Sequence, residues 1–161
     1  GHTMTTICRK QLLAILRYLN APSNTYDLGT NIRADVCYDI EHTERGWETF
    51  LIERTSRFKV AVFDTETDAC LHMLYGIVHW RKNFIQTPIN FRQIHSILVY
   101  LKVPEALYDF SDAHKENAYF IECTENGWEV FRTQNGERHS VAVFRNPTDA
   151  CLDLLYRVIH L

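Results

Sequence analysis

Gly46-Trp47-Glu48-Thr49-Phe50 sets the fold prediction for this chain, because it returns in the second half as Gly127-Trp128-Glu129-Val130-Phe131. The same offset relates Ala61-Val62-Phe63 to Ala142-Val143-Phe144, and Thr67-Asp68-Ala69-Cys70-Leu71 to Thr148-Asp149-Ala150-Cys151-Leu152. An identical offset over three separate segments indicates one ancestral unit that occurs twice. The sequence therefore predicts a tandem duplication.

Each copy is predicted to contain a helix, a three-stranded antiparallel meander and a second helix. In the first copy, apolar spacing predicts helices over 9–20 and 66–81, and strands over 36–41, 47–53 and 58–63, with a loop at 26–28. In the second copy, it predicts helices over 91–102 and from Pro147 to His160, and strands over 118–122, 128–133 and 140–144. The fold class is α+β.

The two repeats are expected to occupy residues 5–82 and 89–161, joined by a short linker at 83–88. Residues 1–4 are interpreted as a tag scar followed by the initiator Met4. One such unit has a small core, so we expect the two copies to pack as one pseudo-twofold body. The sequence leaves open whether the meanders join edge to edge or pack through their helices.

Turn and cap residues support these boundaries. Gly46 is expected to supply a positive φ in the first hairpin. Thr65 and Asn146 are suited to be helix N-caps, with Pro147 at the first helical position. The spacing in the helix after Thr65 predicts that Ala69, Leu71, Leu74, Tyr75 and Val78 are buried.

Composition excludes several classes of function. The formal net charge is −3 and no run of Lys or Arg is present, which argues against nucleic acid as a partner. No apolar run approaches the roughly 18 residues that a membrane span needs. The five cysteines include no C-x-x-C pair, which argues against a disulfide framework and a zinc site. We expect a cytoplasmic protein that uses no metal and no cofactor.

The sequence offers few candidates for catalysis. His79 and His160 are repeat-equivalent, and a role at the helix C-terminus is favoured over a ligand or base role. Cys70 and Cys151 lie one turn into equivalent helices, where the helix N-terminus can favour a reactive thiolate. Burial as small apolar residues is the simpler interpretation. No catalytic motif is present, so no catalytic residue is assigned and an enzyme is not expected.

Acidic residues flank the first hairpin of each copy. Glu41, Glu44 and Glu48 recur as Glu122, Glu125 and Glu129, and the first copy adds Asp35, Asp39 and Glu53. These carboxylates either form an ordinary solvated hairpin or a patch that meets a basic partner. Alternation puts Glu48 and Phe50 on one face and Trp47, Thr49 and Leu51 on the other. Whether Trp47 and Trp128 are buried or form exposed binding residues stays open.

The motifs Gly46-Trp47-Glu48-Thr49-Phe50, Glu53-Arg54 and Phe63-Asp64-Thr65-Glu66-Thr67-Asp68-Ala69-Cys70 resemble a pattern of small bacterial immunity proteins. Those proteins accompany polymorphic toxins of the Rhs, contact-dependent inhibition and type VI secretion kinds. The first copy has Thr55 where that pattern has glycine. The resemblance implies a cytoplasmic, non-enzymatic protein that binds and blocks a cognate toxin domain.

The expected function is therefore immunity, in which the protein neutralises a secreted toxin's catalytic domain by steric and electrostatic blocking. The candidate partner-binding residues are Asp35, Asp39, Glu41, Glu44, Trp47, Glu48, Glu53 and Trp128. The alternative is a duplicated regulatory module that binds a small molecule in the cleft between the repeats and has no catalytic activity.

Overall fold

Four helices and two β-sheets form an α+β fold in the computed structural model, which describes residues 5–28, 36–80, 88–111 and 115–161. The chain divides into two compact units, one of Thr6–Gln86 and one of Thr87–Leu161 together with Gly1–Thr5. The predicted linker, apart from Pro88, lies outside the described residues, as do the predicted tag residues 1–4 and Asp35.

The first unit carries a mixed four-stranded sheet. Its elements are α1 (Arg9–Tyr18), β1 (Tyr26–Asp27), β2 (Val36–Thr43), β3 (Gly46–Glu53), β4 (Ser56–Phe63) and α2 (Glu66–Trp80). The strand order is β1-β2-β3-β4, with β2 to β4 antiparallel and β1 parallel to β2. The predicted loop at 26–28 is thus wrong for Tyr26 and Asp27, which are 2% and 4% exposed. Their buried backbone groups need partners, and β2 supplies them.

The second unit carries a three-stranded antiparallel sheet. Its elements are α3 (Phe91–Tyr100), β5 (Tyr119–Thr124), β6 (Gly127–Gln134), β7 (Glu137–Phe144) and α4 (Pro147–Ile159), and its strand order is β5-β6-β7. Tyr108 is the counterpart of Tyr26, and it forms a single parallel bridge to Tyr119 where the first unit has β1. Both units therefore follow the predicted order of helix, meander and helix.

The helix N-caps are confirmed. The Asp68 N–H donates to Thr65 Oγ1 (3.1 Å) at the start of α2, and the Asp149 N–H donates to Asn146 Oδ1 (2.8 Å) at the start of α4. Pro147 is the first residue of α4. Each cap satisfies a backbone donor that the first helical turn leaves unpaired.

His79 and His160 contact carbonyls at the helix C-termini, as predicted for capping. Their Nδ1 atoms lie 2.8 Å from Tyr75 O and 2.7 Å from Tyr156 O. The predicted burial of Tyr75 is wrong, because its side chain is 54% exposed and stacks on His79 at 4.0 Å. The predicted burial of Ala69, Leu71 and Leu74 is confirmed, whereas Val78 is only half-buried. The buried residues of α2 also include Cys70, Met73 and Ile77, and this stripe points Tyr75 away from the core.

Helix α2 covers one face of the first sheet. The Tyr38 ring meets Trp80 edge-on at 5.5 Å, and Phe63 contacts His72 at 4.9 Å. Residues directly opposite on neighbouring strands share a face, so Leu51 (opposite Tyr38) and Trp47 (opposite Phe63) also lie on this helix-covered face. The other face, called here the far face, carries a core cluster of Cys37, Phe50 and Ile52.

A close backbone contact joins the start of β3 to the end of β4, and the start of β6 to the end of β7. Gly46 has φ +129°, and a Cβ there would lie 2.6 Å from Phe63 O. Gly127 repeats this with φ +126° and a distance of 2.7 Å to Phe144 O. The predicted positive φ at Gly46 is confirmed, and the contact excludes any side chain as well.

A β-bulge recurs in the third strand of each meander. Lys59 and Ser140 occupy equivalent positions of the two copies, both have φ 54°, and the register shifts beside each of them. Neither residue is glycine, so no residue type signals this left-handed backbone in advance. The bulge lets β4 and β7 twist at the edge of their sheets.

Gly46→Ala is expected to lower the free energy of unfolding by about 2–4 kcal/mol, because the strained backbone costs about 1–3 kcal/mol and the contact with Phe63 O adds to it. Urea denaturation followed by circular dichroism measures this change. Gly136→Ala is the matched control, since Gly136 has φ +75° but open space around its Cβ position. Its cost should be only about 1 kcal/mol. Equal losses in the two variants would contradict the close-contact explanation.

Candidate protein-binding surface

Three of the predicted carboxylates lie together on the far face of the first sheet. Glu41 on β2 is directly opposite Glu48 on β3, and Asp39 is opposite Phe50. These residues alternate with those that face α2, so all three acids point away from that helix. Glu48 is 8% exposed, whereas Glu41 is exposed.

Like charges directly opposite each other destabilise a sheet, and arginines offset them here. Arg57 Nη1 lies 2.6 Å from Glu41 Oε2, and the Arg57 guanidinium lies 4.1 Å from the centre of the Phe50 ring. Arg45 Nη1 lies 3.3 Å from Glu48 Oε1. Part of the predicted acidic patch is therefore neutralised within its own unit.

The second unit repeats this arrangement with a single arginine. Arg138 bonds both Glu122 and Glu129, the latter at 3.3 Å, and its guanidinium lies 4.2 Å from the centre of the Phe131 ring. Arg138 and Arg57 occupy equivalent positions of the two copies, so this contact belongs to the repeated unit. One planar guanidinium can serve two carboxylates and an aromatic ring at once.

Exposed valines border the carboxylates. Val62 is directly opposite Glu48, and Val60 lies two positions before it on the same face of β4. Their exposures are 44% for Val60 and 37% for Val62, and β4 is the end strand of its sheet. Asp39, Glu41, Glu48, Val60 and Val62 are called the hairpin face below. It combines apolar area with a carboxylate rim.

The remaining predicted acids lie elsewhere. Glu44 lies in the turn between β2 and β3, beside the hairpin face. Glu53 ends β3 opposite Val36 and does not join the other acids. Among the residues that the structure describes, neither Glu44 nor Glu53 forms an ion pair, and both are exposed. Asp35 lies outside the described residues.

The two tryptophans lie on the helix-covered side of their hairpins. Trp47 stacks on His42 at 4.2 Å, and the Arg9 guanidinium of α1 lies 5.3 Å from its ring centre. Trp128 meets Phe91 of α3 edge-on at 5.5 Å. Both rings are half-buried, and neither shares a face with the carboxylates of its unit.

The two helical cysteines are poor nucleophiles. Cys70 and Cys151 are fully buried, and burial raises the pKa of each thiol to about 12. The nearby Glu66 carboxylate adds to the rise at Cys70. Both groups are therefore protonated thiols at neutral pH, and the thiolate is the reactive form.

The described part of the chain shows no cluster of three or more His, Cys, Asp or Glu that could hold a metal ion. No helix in the described ranges is long and apolar enough to cross a membrane. No family model matches the chain, and no curated protein and no solved structure matches it either.

Sequence reasoning missed the arginines and valines of this surface. Arg57 and Arg138 share the offset that relates the two copies, and this repetition was a usable signal. Strict alternation along β4 and β7 would put each arginine on the face opposite the repeated glutamates, and the bulges at Lys59 and Ser140 bring them to the same face. The exposure of Val60 and Val62 follows from the edge position of β4, which the sequence does not reveal.

Arg138→Ala is expected to lower the free energy of unfolding by about 1 kcal/mol, because Glu122 and Glu129 then face each other without a cation. Urea denaturation at low and high salt measures the loss, which should shrink as salt screens the two carboxylates. Arg138→Met keeps packing on Phe131 without the charge, and exposed Arg145→Ala serves as the control. A loss in Arg138→Met that does not change with salt would contradict the electrostatic role.

Thiol labelling should distinguish the cysteines. Cys123 is exposed, whereas Cys37, Cys70 and Cys151 are buried and Cys8 is half-buried. We expect Cys123 to react with a chromogenic disulfide at about the rate of a small thiol, and the buried thiols at least about 100-fold more slowly. Single-cysteine variants assign each phase. If Cys70 or Cys151 reacted faster than Cys123, the high thiol pKa and the inert role would both be wrong.

Proposed function

We propose that this protein is an immunity protein that binds a cognate secreted toxin domain and neutralises it by steric and electrostatic blocking. The observation that carries the proposal is the hairpin face, on which exposed Val60 and Val62 border Glu41 and Glu48. The resemblance of the Gly46–Phe50 and Phe63–Cys70 segments to immunity proteins supports it.

The composition of the hairpin face favours a protein partner. Protein interfaces combine a desolvated apolar centre with a polar rim, and the two valines supply apolar area at the edge of the sheet. The ion pairs of Arg57 and Arg45 hold Glu41 and Glu48 in fixed positions. Preorganised carboxylates lose less conformational entropy when a basic partner surface binds them.

We propose that electrostatic attraction speeds the association with the toxin domain. Glu44 lies beside the hairpin face without an ion pair among the described residues, and the chain has a net charge of −3. A basic toxin surface would be attracted to this region, and association would slow as salt increases. Neutralisation requires only that the immunity protein covers the toxin's catalytic cleft. We therefore assign no catalytic activity to the immunity protein.

The repeated sequence and the matching order of elements support an origin by tandem duplication. The pseudo-twofold arrangement of the two units stays a prediction. We further propose a cytoplasmic location, because an immunity protein must meet the toxin where the toxin acts.

The substitution Val62→Lys tests whether the hairpin face binds the toxin domain. A basic side chain beside Glu48 should repel a basic partner and remove apolar contact, so the Kd for the toxin domain encoded by the neighbouring gene should rise at least about tenfold. Edge strands commonly carry lysine, so the fold is expected to tolerate the change. Calorimetric titration measures the Kd, and a toxin activity assay measures the inhibition.

The matched control is Val143→Lys, since Val143 occupies the equivalent edge position in β7 and is 50% exposed. It should bind as the wild type does. Loss of binding in this control alone would move the interface to the second unit. No complex between the wild-type protein and the toxin domain at any salt concentration would falsify the immunity function itself.

A further inference from the structure

A cavity of about 320 Å³ lies within the second unit, between α3 and the segment that leads to β5. Its lining residues are His95, Glu105, Tyr108, Asp109, Phe110, Ser111 and Lys115. This volume is at the lower end of the range for small-molecule sites, about 300–1,000 Å³. None of these residues belongs to the hairpin face.

Three aromatic rings form one wall of the cavity. The ring centre of His95 lies 5.8 Å from that of Tyr108 and 5.4 Å from that of Phe110, and those of Tyr108 and Phe110 are 5.6 Å apart. The rings meet at tilted or edge-on angles. Such a wall presents both ring faces and ring edges, which suits contact with another planar ring.

The Tyr108 hydroxyl lacks a hydrogen-bond partner among the described residues. The residue is 3% exposed, and its hydroxyl is buried with no hydrogen-bond partner in the part of the chain that the structure describes. Burial, and then the Glu105 carboxylate, raise the pKa of Tyr108 above its ordinary value, so the hydroxyl is a donor at neutral pH. A buried hydroxyl without a partner is unfavourable. The oxygen atom has almost no accessible surface, so Tyr108 contributes its ring and not its hydroxyl to the cavity.

Both signs of charge line the cavity. Lys115 Nζ donates one hydrogen bond to Glu105 O (2.6 Å), which leaves further ammonium N–H groups for a ligand. Asp109 accepts from the Ser111 N–H (2.8 Å), Ser111 Oγ (2.6 Å) and the Lys115 N–H (3.4 Å). Desolvation opposes ionisation of Asp109, but these hydrogen bonds outweigh it and hold its pKa below the ordinary value. Asp109 is therefore a carboxylate at neutral pH.

The fold itself does not require these side chains. In the alignment that pairs Tyr108 with Tyr26, the first unit has Leu13 in place of His95 and Leu28 in place of Phe110. Leucines at those positions are compatible with the same order of elements in the first unit. The ring wall is therefore a property that the second unit has and the first unit lacks.

We propose that this cavity binds a small zwitterion with a planar ring, of the class of the aromatic amino acids. The ring packs against His95 and Phe110, and the ligand carboxylate accepts from Lys115. The ligand ammonium faces Asp109 and Glu105. This binding goes beyond toxin neutralisation and does not depend on it, because the hairpin face belongs to the other unit.

Isothermal titration of the full chain with L-phenylalanine tests the proposal. We expect saturable 1:1 binding with a Kd of about 0.1–1 mM, in keeping with a ligand of this size, and a rise in Tm of a few degrees at saturation. Phenylacetate, which lacks the amine, and phenethylamine, which lacks the carboxylate, should each bind at least about tenfold more weakly, because each loses one charge contact.

Substitutions of the lining residues test whether the ligand binds in this cavity. Phe110→Leu and His95→Leu install the residues of the first unit and should each weaken binding at least about fivefold, and Lys115→Met should abolish the preference for phenylalanine over phenethylamine. Leu28→Phe in the first unit is the control and should bind as the wild type does. Melting curves without ligand show that each variant is folded. No saturable binding by the wild type, or equal binding by Phe110→Leu and Lys115→Met, would overturn the proposal.

Discussion

The close approach of Gly46 to Phe63 O, and of Gly127 to Phe144 O, sets the strand register of each unit. A backbone contact of this kind permits one hairpin register, and a shift by one position would move every side chain of the strand to the opposite face. The register puts Trp47 and Leu51 against the helices and Glu48 and Phe50 on the far face. The strand register therefore determines which residues lie on each face of the sheet.

On the far face, carboxylates lie next to each other, and arginine side chains compensate their charge. Glu41 and Glu48 are direct neighbours across two strands, as are Glu122 and Glu129, and adjacent carboxylates repel. Arg57 bonds Glu41, and Arg138 bonds Glu122 and Glu129. Both guanidinium groups lie over phenylalanine rings, so each arginine combines packing with charge compensation. The same contacts hold the carboxylates in place for a partner, which connects the stability of the unit to the binding role proposed for it.

Differences between the units matter as much as their likeness. The first unit has an extra parallel strand, β1, where the second has only the bridge from Tyr108 to Tyr119. The second unit has the ring wall of His95 and Phe110 where the first has leucines. The edge bulge and the turn glycine are kept in both units, as is the buried phenylalanine at Phe50 and Phe131. Residues that the fold needs are thus repeated, and residues that differ mark where the units can have separate roles.

Local sequence patterns were enough to predict the order of the helices and of the meander strands, the turn at Gly46, the caps Thr65 and Asn146, and the α+β class. These features depend on periodicity and on the backbone preferences of single residues. The exposure of Tyr75, the pairing of Tyr26 with β2 and the position of Trp47 against α1 became visible only in the folded chain. Folding also brought Arg57 to Glu41 and left Val62 at an open edge. Such outcomes depend on contacts between segments far apart in the chain, which no local pattern encodes.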